Sequence, residues 1–380
     1  MNTPLPLSVS RALAERRASG MLRCLVTQSK EGIDLCSNDY LGLARALSDR
    51  AIAATRHGGA TGSRLVSGNT TAHEELEEFL AAFHQAGAAL MFGSGYEANV
   101  GLLSCLGGRA DTLVYDELAH ASMRDGIRLN PARSFSFRHN DIHDLALKLR
   151  NARGEVFVAV ESVYSMDGHV APLRDIIGTC RSVGAHLIVD EAHATGLYGP
   201  YGGGLVQELG LHDEVFARVH TFGKALGYRG AAVVGPPELR DYLVNFARPF
   251  IYSTAPDRGA IEMIRLAYAL QRDMHEEREK LFGLISSFRA LRSRFKDLTF
   301  LDSSSPIQGV IIPGNEMVTA AEHRLAAEGF FARAIRSPTV PAGQERIRIC
   351  LHSFNDISEL EHALLCIASA SLQGARAHGY

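Results

Sequence analysis

Several signatures are missing from this chain, and each absence closes a class of function. The six cysteines, Cys24, Cys36, Cys105, Cys180, Cys350 and Cys366, are scattered without a CxxC pair, so they offer no zinc frame and suit free thiols in a reducing compartment. No HExxH, no GxSxG and no four-ligand His/Cys spacing occurs, which removes the usual marks of metalloproteases and serine hydrolases. GSGYEANVG, Gly93 to Gly101, carries Ala98 where a dinucleotide fingerprint needs its third glycine, and Lys224 precedes Ala225 rather than the Ser or Thr of a P-loop. There is no uncharged apolar run of about 18 residues and no charged start followed by an apolar core in MNTPLPLSVSRALAERR. The expectation is a soluble, cytoplasmic protein with no membrane partner. Charge of one sign is also lacking: 39 Lys plus Arg stand against 42 Asp plus Glu, a net charge of −3. No basic stretch is interleaved with aromatics, so nucleic acid is not expected as a partner.

What is present is length, apolar content and glycine. The 380 residues are 46% hydrophobic, enough for a sizeable core and more than one domain usually holds. We expect an N-terminal arm over 1–44, a large domain over 45–270 and a smaller α+β domain over 271–380. In the large part ALMFGSG, DTLVYD, VFVAVES, HLIVDEAH, VFARVHTFG and AAVVG alternate with helix-like stretches. Their continuous apolar character predicts an α/β fold, a mostly parallel central sheet with helices on both faces. One long helical segment is expected after Pro256, and a final helix from Ile357. The 36 glycines exceed the usual share of about 7%, and many stand beside His, Asp, Ser and Lys.

Four segments follow such strands, and in an open α/β sheet that brings them to the edge where ligands bind. Gly93, Ser94 and Gly95 open a helix whose free N–H groups can hold a phosphate. His120, in DELAHAS, can stack on a pyridine ring. Asp190, three residues before His193, can keep a pyridinium nitrogen protonated, and His193 can reach a ring oxygen. Lys224, between Gly223 and Gly227, can be desolvated enough to form a Schiff base. Each alone has a plainer reading: an ordinary strand-to-helix turn, a helix-capping histidine, an acidic turn residue, a solvated lysine. Together, in this order, they describe a pyridoxal 5′-phosphate site.

The chain resembles the α-oxoamine synthase family of fold-type I pyridoxal-phosphate enzymes. The resemblance rests on SNDYLGL (Ser37 to Leu43), GSRLVSGN (Gly62 to Asn69), GSGYEAN, FRHND (Phe137 to Asp141), ESVYSMDGHVAPL (Glu161 to Leu173), DEAHATGLYG, TFGKALG, FIYSTA and RSPTVPAG (Arg336 to Gly343). It implies that Lys224 carries the cofactor, that His120 stacks on its ring, that Asp190 pairs with the ring nitrogen, and that Ser165 and His193 lie near the ring oxygen. Gly95, Tyr96 and Thr221 would hold the phosphate, with Thr254 reaching in from a second subunit of a homodimer. The implied reaction is decarboxylative condensation of L-alanine with a pimeloyl thioester, on CoA or acyl carrier protein, by Lys224, His120 and Asp190. The alternative is another member of the family, using glycine or serine with a different acyl thioester. Arg23 would meet the distal carboxylate, Asn38 would line the pocket, and Arg336 and Thr339 would flank the amino acid. Arg348 competes with Arg336 as the carboxylate anchor.

Overall fold

The computed structural model describes residues 5–23, 25, 32–48 and 58–377, with side chains through residue 370. Cys24 lies outside the described residues, as does the stretch just before Gly58. The other five cysteines are free thiols. Among the described residues no helix is long and apolar enough to cross a membrane.

Two compact units divide the chain. The larger comprises Asn38–Ser165 and His169–Lys280; the smaller comprises Met1–Ser37, Met166–Gly168 and Leu281–Tyr380. Of the arm read over 1–44, residues through Ser37 group with the C-terminal part and those from Asn38 with the larger unit.

The larger unit is built on a seven-stranded sheet, in spatial order Ala88–Phe92, Ala231–Gly235, Ala217–Thr221, His186–Asp190, Val156–Glu161, Thr112–Asp116 and Arg133–Phe137. Only Ala231–Gly235 runs against its neighbours; the other pairings are parallel. Parallel neighbours need long crossovers, and the helices of those crossovers cover both faces. Period-two alternation then sorts one strand between two cores. Leu90 and Phe92 pack with Leu102, Leu103, Met123 and Ile127, whereas Ala89 and Met91 pack with Leu76, Leu80, Ile264 and Tyr268. Both faces are apolar, so the strands read as unbroken hydrophobic runs.

All six apolar runs of the sequence reading are strands. A seventh strand, Arg133–Phe137, escaped it because RSFSF is an edge strand exposed over four of its five residues. The long helix expected after Pro256 is instead two, Arg258–Asp273 and His275–Leu291. Met274 turns between them at φ −81 and ψ 50. The Arg278 guanidinium donates to the carbonyls of Gln271 at 2.8 Å and Arg272 at 3.4 Å, satisfying acceptors that the break frees.

The smaller unit carries a four-stranded antiparallel sheet in the order Arg333–Ile335, Arg346–Cys350, Ile307–Ile311 and Thr299–Phe300. Ile33–Asp34 pairs in parallel with Phe330–Phe331. Helices Asn315–Ala327 and Ile357–Ala377 belong to this unit, as does Leu7–Ala18, none of whose residues is buried.

Within the larger unit Arg64 of the GSRLVSGN segment is a structural residue. Its buried guanidinium forks onto Glu77, Nη1 to Oε1 at 2.8 Å and Nη2 to Oε2 at 3.2 Å. Glu77 also accepts the Met91 N–H at 2.9 Å, so one ion pair ties a helix, a sheet strand and the loop. Breaking a buried pair leaves an uncompensated charge. Glu77→Ala is expected to lower the unfolding free energy by about 3–5 kcal/mol in a urea titration; a loss below about 1 kcal/mol would mean that solvent screens the pair.

Candidate active site

Six of the seven strands run in one direction, so their carboxyl ends share an edge. At that edge Ala88–Phe92 ends and Ser94 caps the helix Gly95–Cys105, its Oγ accepting the Glu97 N–H at 3.2 Å. A Cβ on Gly95 would stand 3.2 Å from Thr221 Oγ1, and one on Gly93 2.5 Å from Glu97 Oε2. Glycine therefore lets Thr221 close on a helix start whose N–H groups are unpaired within the helix, the arrangement that suits a phosphate. Tyr96, next on the helix, is exposed and its hydroxyl donates to Asp125.

Asp190 ends the strand His186–Asp190 and is buried. Its Oδ1 accepts the Ala192 N–H at 2.8 Å and its Oδ2 accepts Asn99 Nδ2 at 2.7 Å. The same amide nitrogen donates to Ser122 Oγ at 3.0 Å, and that hydroxyl lies 2.8 Å from His120 Nδ1. His120 also caps the helix Ala121–Leu129, its Nδ1 accepting the Ser122 N–H at 3.2 Å. The capping role and the site role therefore coexist. With Nδ1 occupied as an acceptor, the neutral ring carries its proton on Nε2. Burial lowers the His120 pKa, Asp190 opposes that and Lys224 reinforces it.

His193 Nδ1 lies 2.7 Å from the Tyr40 hydroxyl, which donates to Asn38 Oδ1 at 3.1 Å. Asn38 and His193 are thus joined through Tyr40, a buried residue inside SNDYLGL that the sequence reading did not single out. Ser165 is half-buried in the turn closed by the Val163 and Val170 bridge. Lys224, half-buried, sits in a turn held by the Gly227 N–H on its own carbonyl at 2.8 Å. Gly227 has φ +65, and a Cβ there would meet the Ala44 nitrogen at 2.4 Å, so no other residue fits without displacing the neighbouring segment.

A polar layer underlies the lysine turn. His84 and His220 stack at 3.6 Å between centroids; His84 bonds the Tyr268 hydroxyl and the Gly203 carbonyl, and His220 bonds Thr195 Oγ1. Gly202 to Gly204 help wrap the chain around Glu191, whose carboxylate accepts the N–H of Leu205 at 2.9 Å and of Val206 at 2.7 Å. A Cβ on Gly204 would come 2.9 Å from that carboxylate.

The smaller unit holds Arg23, Arg336, Thr339 and Arg348. Arg23, Arg336 and Thr339 line one cavity of about 430 Å³ together with Arg16 and Arg333, and Arg336 Nη1 donates to the Gly20 carbonyl at 3.2 Å. Arg348 pairs in register with Arg333 and lies outside that lining. Thr254, in the larger unit, is exposed and bridges to Ser63.

The larger unit's residues fit the pyridoxal 5′-phosphate that the resemblance implies. The Gly95 and Thr221 approach leaves room only for backbone at the phosphate end, and a carboxylate, a neutral imidazole and a lysine share the same edge. Asn99 and Ser122, which link Asp190 to His120, were not candidates in the sequence, because no spacing rule tells which residue of a helix faces a distant strand end.

A family model described as aminotransferase class I and II matches residues 30–365. The 8-amino-7-oxononanoate synthase of Emericella nidulans is 40% identical over 396 residues, covering 95% of each chain. Serine palmitoyltransferase of S. paucimobilis, solved with PLP and myriocin bound, superposes with a TM-score of 0.86 at 25% identity, covering 98% of each chain. The 8-amino-7-oxononanoate synthase of Francisella tularensis superposes with a TM-score of 0.79 at 27% identity, covering 91% of this chain and 99% of that one.

The histidine layer sets a pH dependence. Burial, helped by Arg218, drives His84 down to about 3; burial, His84 and Arg218 hold His220 well below the usual range. Folded values below the unfolded value of about 6.5 mean stability is held above that pH and lost as pH falls through it. Each histidine contributes up to about 1.4 kcal/mol per pH unit. Between about pH 6.5 and pH 5, His84→Gln is expected to lose stability less steeply than the unsubstituted protein in urea titrations; equal slopes would show that His84 takes up its proton in the folded state.

Proposed function

We propose a function from the premise that the chain belongs to the class I and II aminotransferase family, with 8-amino-7-oxononanoate synthases among its near full-length relatives. It binds pyridoxal 5′-phosphate and condenses L-alanine with a pimeloyl thioester, of CoA or acyl carrier protein. The products are 8-amino-7-oxononanoate for biotin biosynthesis, carbon dioxide and free thiol. The observation that carries this reading is the convergence of the Gly95 turn, Thr221, His120, Asp190 and Lys224 on one sheet edge. The reading also places the reaction in the cytoplasm.

When bound, pyridoxal phosphate supplies a protonated conjugated ring that takes up the electron pair released at the alanine Cα. The residues around it have separable tasks. N–H groups at Gly95 and Tyr96 and the Thr221 hydroxyl hold the phosphate. Asp190 keeps the ring nitrogen protonated, and its two donors, Asn99 and Ala192, leave the carboxylate fixed in direction. His120 would lie against the ring face, and Ser165 and His193 would hold the ring oxygen.

Lys224 would hold the cofactor through Nζ, and its amine would take the Cα proton of the amino acid and later return one. Lys224→Ala therefore removes both the covalent anchor and the base. His120 donates its Nε2 proton as a hydrogen bond to the thioester carbonyl oxygen, which gains charge during attack. Its Nδ1 contacts with Ser122 aim that proton outward.

In the smaller unit Arg23 takes the distal carboxylate of the acyl chain, since a guanidinium fork matches a carboxylate bidentately. Arg336 and Thr339, which share a cavity with Arg23, are the residues assigned to the amino-acid portion. Arg348 is the alternative to Arg336 as the carboxylate anchor, and Asn38, in the larger unit, is held by Tyr40 beside His193. Thr254 acts from a second copy of the chain. Leu65, Val66 and Tyr252, close to its Ser63 bridge in sequence, are exposed apolar side chains that a homodimer would cover.

Purified protein is expected to absorb in the visible, and borohydride is expected to fix the chromophore to the peptide containing Lys224; a colourless, unlabelled protein sinks the reading. Alanine, glycine and serine paired with pimeloyl, acetyl and palmitoyl thioesters separate the members of the family: fastest thiol release with alanine and pimeloyl is expected. Arg23→Ala is expected to raise KM for the pimeloyl thioester roughly tenfold to a hundredfold with a smaller change in kcat.

A further inference from the structure

Three carboxyl groups crowd the ends of two neighbouring strands: Glu161, Asp190 and Glu191. Glu161 and Asp190 sit side by side in parallel register. Their donors differ. Glu191 accepts two backbone N–H groups and the Ser162 hydroxyl, and Asp190 accepts Asn99 and the Ala192 N–H. Glu161 is 2% exposed and accepts the His120 N–H at 2.7 Å on Oε1.

That donor is the backbone of the histidine assigned above to the cofactor ring. The N–H belongs to the cap of the helix Ala121–Leu129 and has no partner inside the helix. The His120 ring is therefore held at two points, its Nδ1 against Ser122 and its backbone against Glu161.

We propose that Glu161 is a positioning residue for His120, fixing the imidazole at the edge of the site through the peptide N–H without itself touching substrate. The assignment of His120 to the ring rests on the function proposed above; the hydrogen bond does not.

The surroundings of Glu161 favour its neutral form. The groups facing it are Asp190 on the next strand, Asp116 at the end of Thr112–Asp116, Lys224 on its turn, Tyr164 in its own loop and the His120 N–H. Burial acts first and the Asp190 charge second to raise its pKa well above the ordinary 4.5, with Lys224 and the His120 N–H opposing. A single acceptor bond needs only a carbonyl oxygen, which a protonated carboxyl retains. The negative charge at this edge is then left to Asp190, where the ring nitrogen requires it.

The test compares Glu161→Ala with Glu161→Gln in the cofactor-loaded enzyme. Glu161→Ala frees the His120 backbone and is expected to lower kcat roughly tenfold to a hundredfold, with KM for alanine little changed and the bound-cofactor absorption band shifted. Glu161→Gln keeps the acceptor and is expected to restore most of the lost kcat and the original band. A second arm reads protonation without activity. The unfolded glutamate ionises near 4.5 while burial and the Asp190 charge hold the folded one well above that value, so the unsubstituted protein loses stability as pH rises above it. The melting temperature of Glu161→Gln should thus exceed that of the unsubstituted protein by a margin that grows from about pH 5 to about pH 8.

Unchanged kcat and spectrum in Glu161→Ala overturn the positioning role, as does equal damage in both variants. A margin that does not grow with pH overturns the neutral state. If the unsubstituted protein makes no product from alanine and the pimeloyl thioester, the functional reading fails, while the absorption and melting arms still decide Glu161.

Discussion

A concentration of carboxyl groups at the end of a buried sheet is the constraint on which the rest of the larger unit depends. Parallel strands placed side by side deliver Glu161, Asp190 and Glu191 to the same interior edge. No solvent is there to stabilise them, so each must find donors or hold a proton. The surrounding elements answer that demand. The first crossover helix turns Asn99 toward Asp190, the Gly202 to Gly204 loop folds its successor's N–H groups onto Glu191, and the His120 N–H closes on Glu161.

That solution also makes the site. Because Asn99 donates to both Asp190 and Ser122, the carboxylate assigned to the ring nitrogen and the imidazole assigned to the ring face are mechanically linked. A shift of the helix Gly95–Cys105 would disturb both, along with the Gly95 turn that opens the same helix. Phosphate end, ring nitrogen and ring face are thus referenced to a single rigid element packed by Leu102 and Leu103 against the sheet. Glycine enters at two places where backbone must come closer than any side chain allows: beside Thr221 at Gly95, and beside Ala44 at Gly227.

The smaller unit has a different chemistry. Its cavity is lined by guanidinium groups, Arg16, Arg23, Arg333 and Arg336 among them, of which Arg333 pairs with Glu322 at 3.0 Å. Placement in one cavity associates Arg336 with Arg23 and Thr339, and sets Arg348 beside Arg333 on the sheet.

Much of this was legible in the chain. Strands buried on both faces are unbroken apolar runs, so six of the seven in the large sheet declared themselves, and the residues following them identified the chemistry. RSFSF did not, because an exposed edge strand needs no apolar pattern. The break at Met274 was hidden because the capping group, Arg278, lies four residues beyond it and looks like any helical arginine. Local order of residues, then, determined the fold class, the cofactor and the family. Only the tertiary structure decided which donors face which carboxyls, that Arg64 pairs with Glu77, and that Glu161 reaches His120. Those pairings join positions up to 91 residues apart, and they are set by strand register and helix rotation, which one-dimensional spacing does not encode.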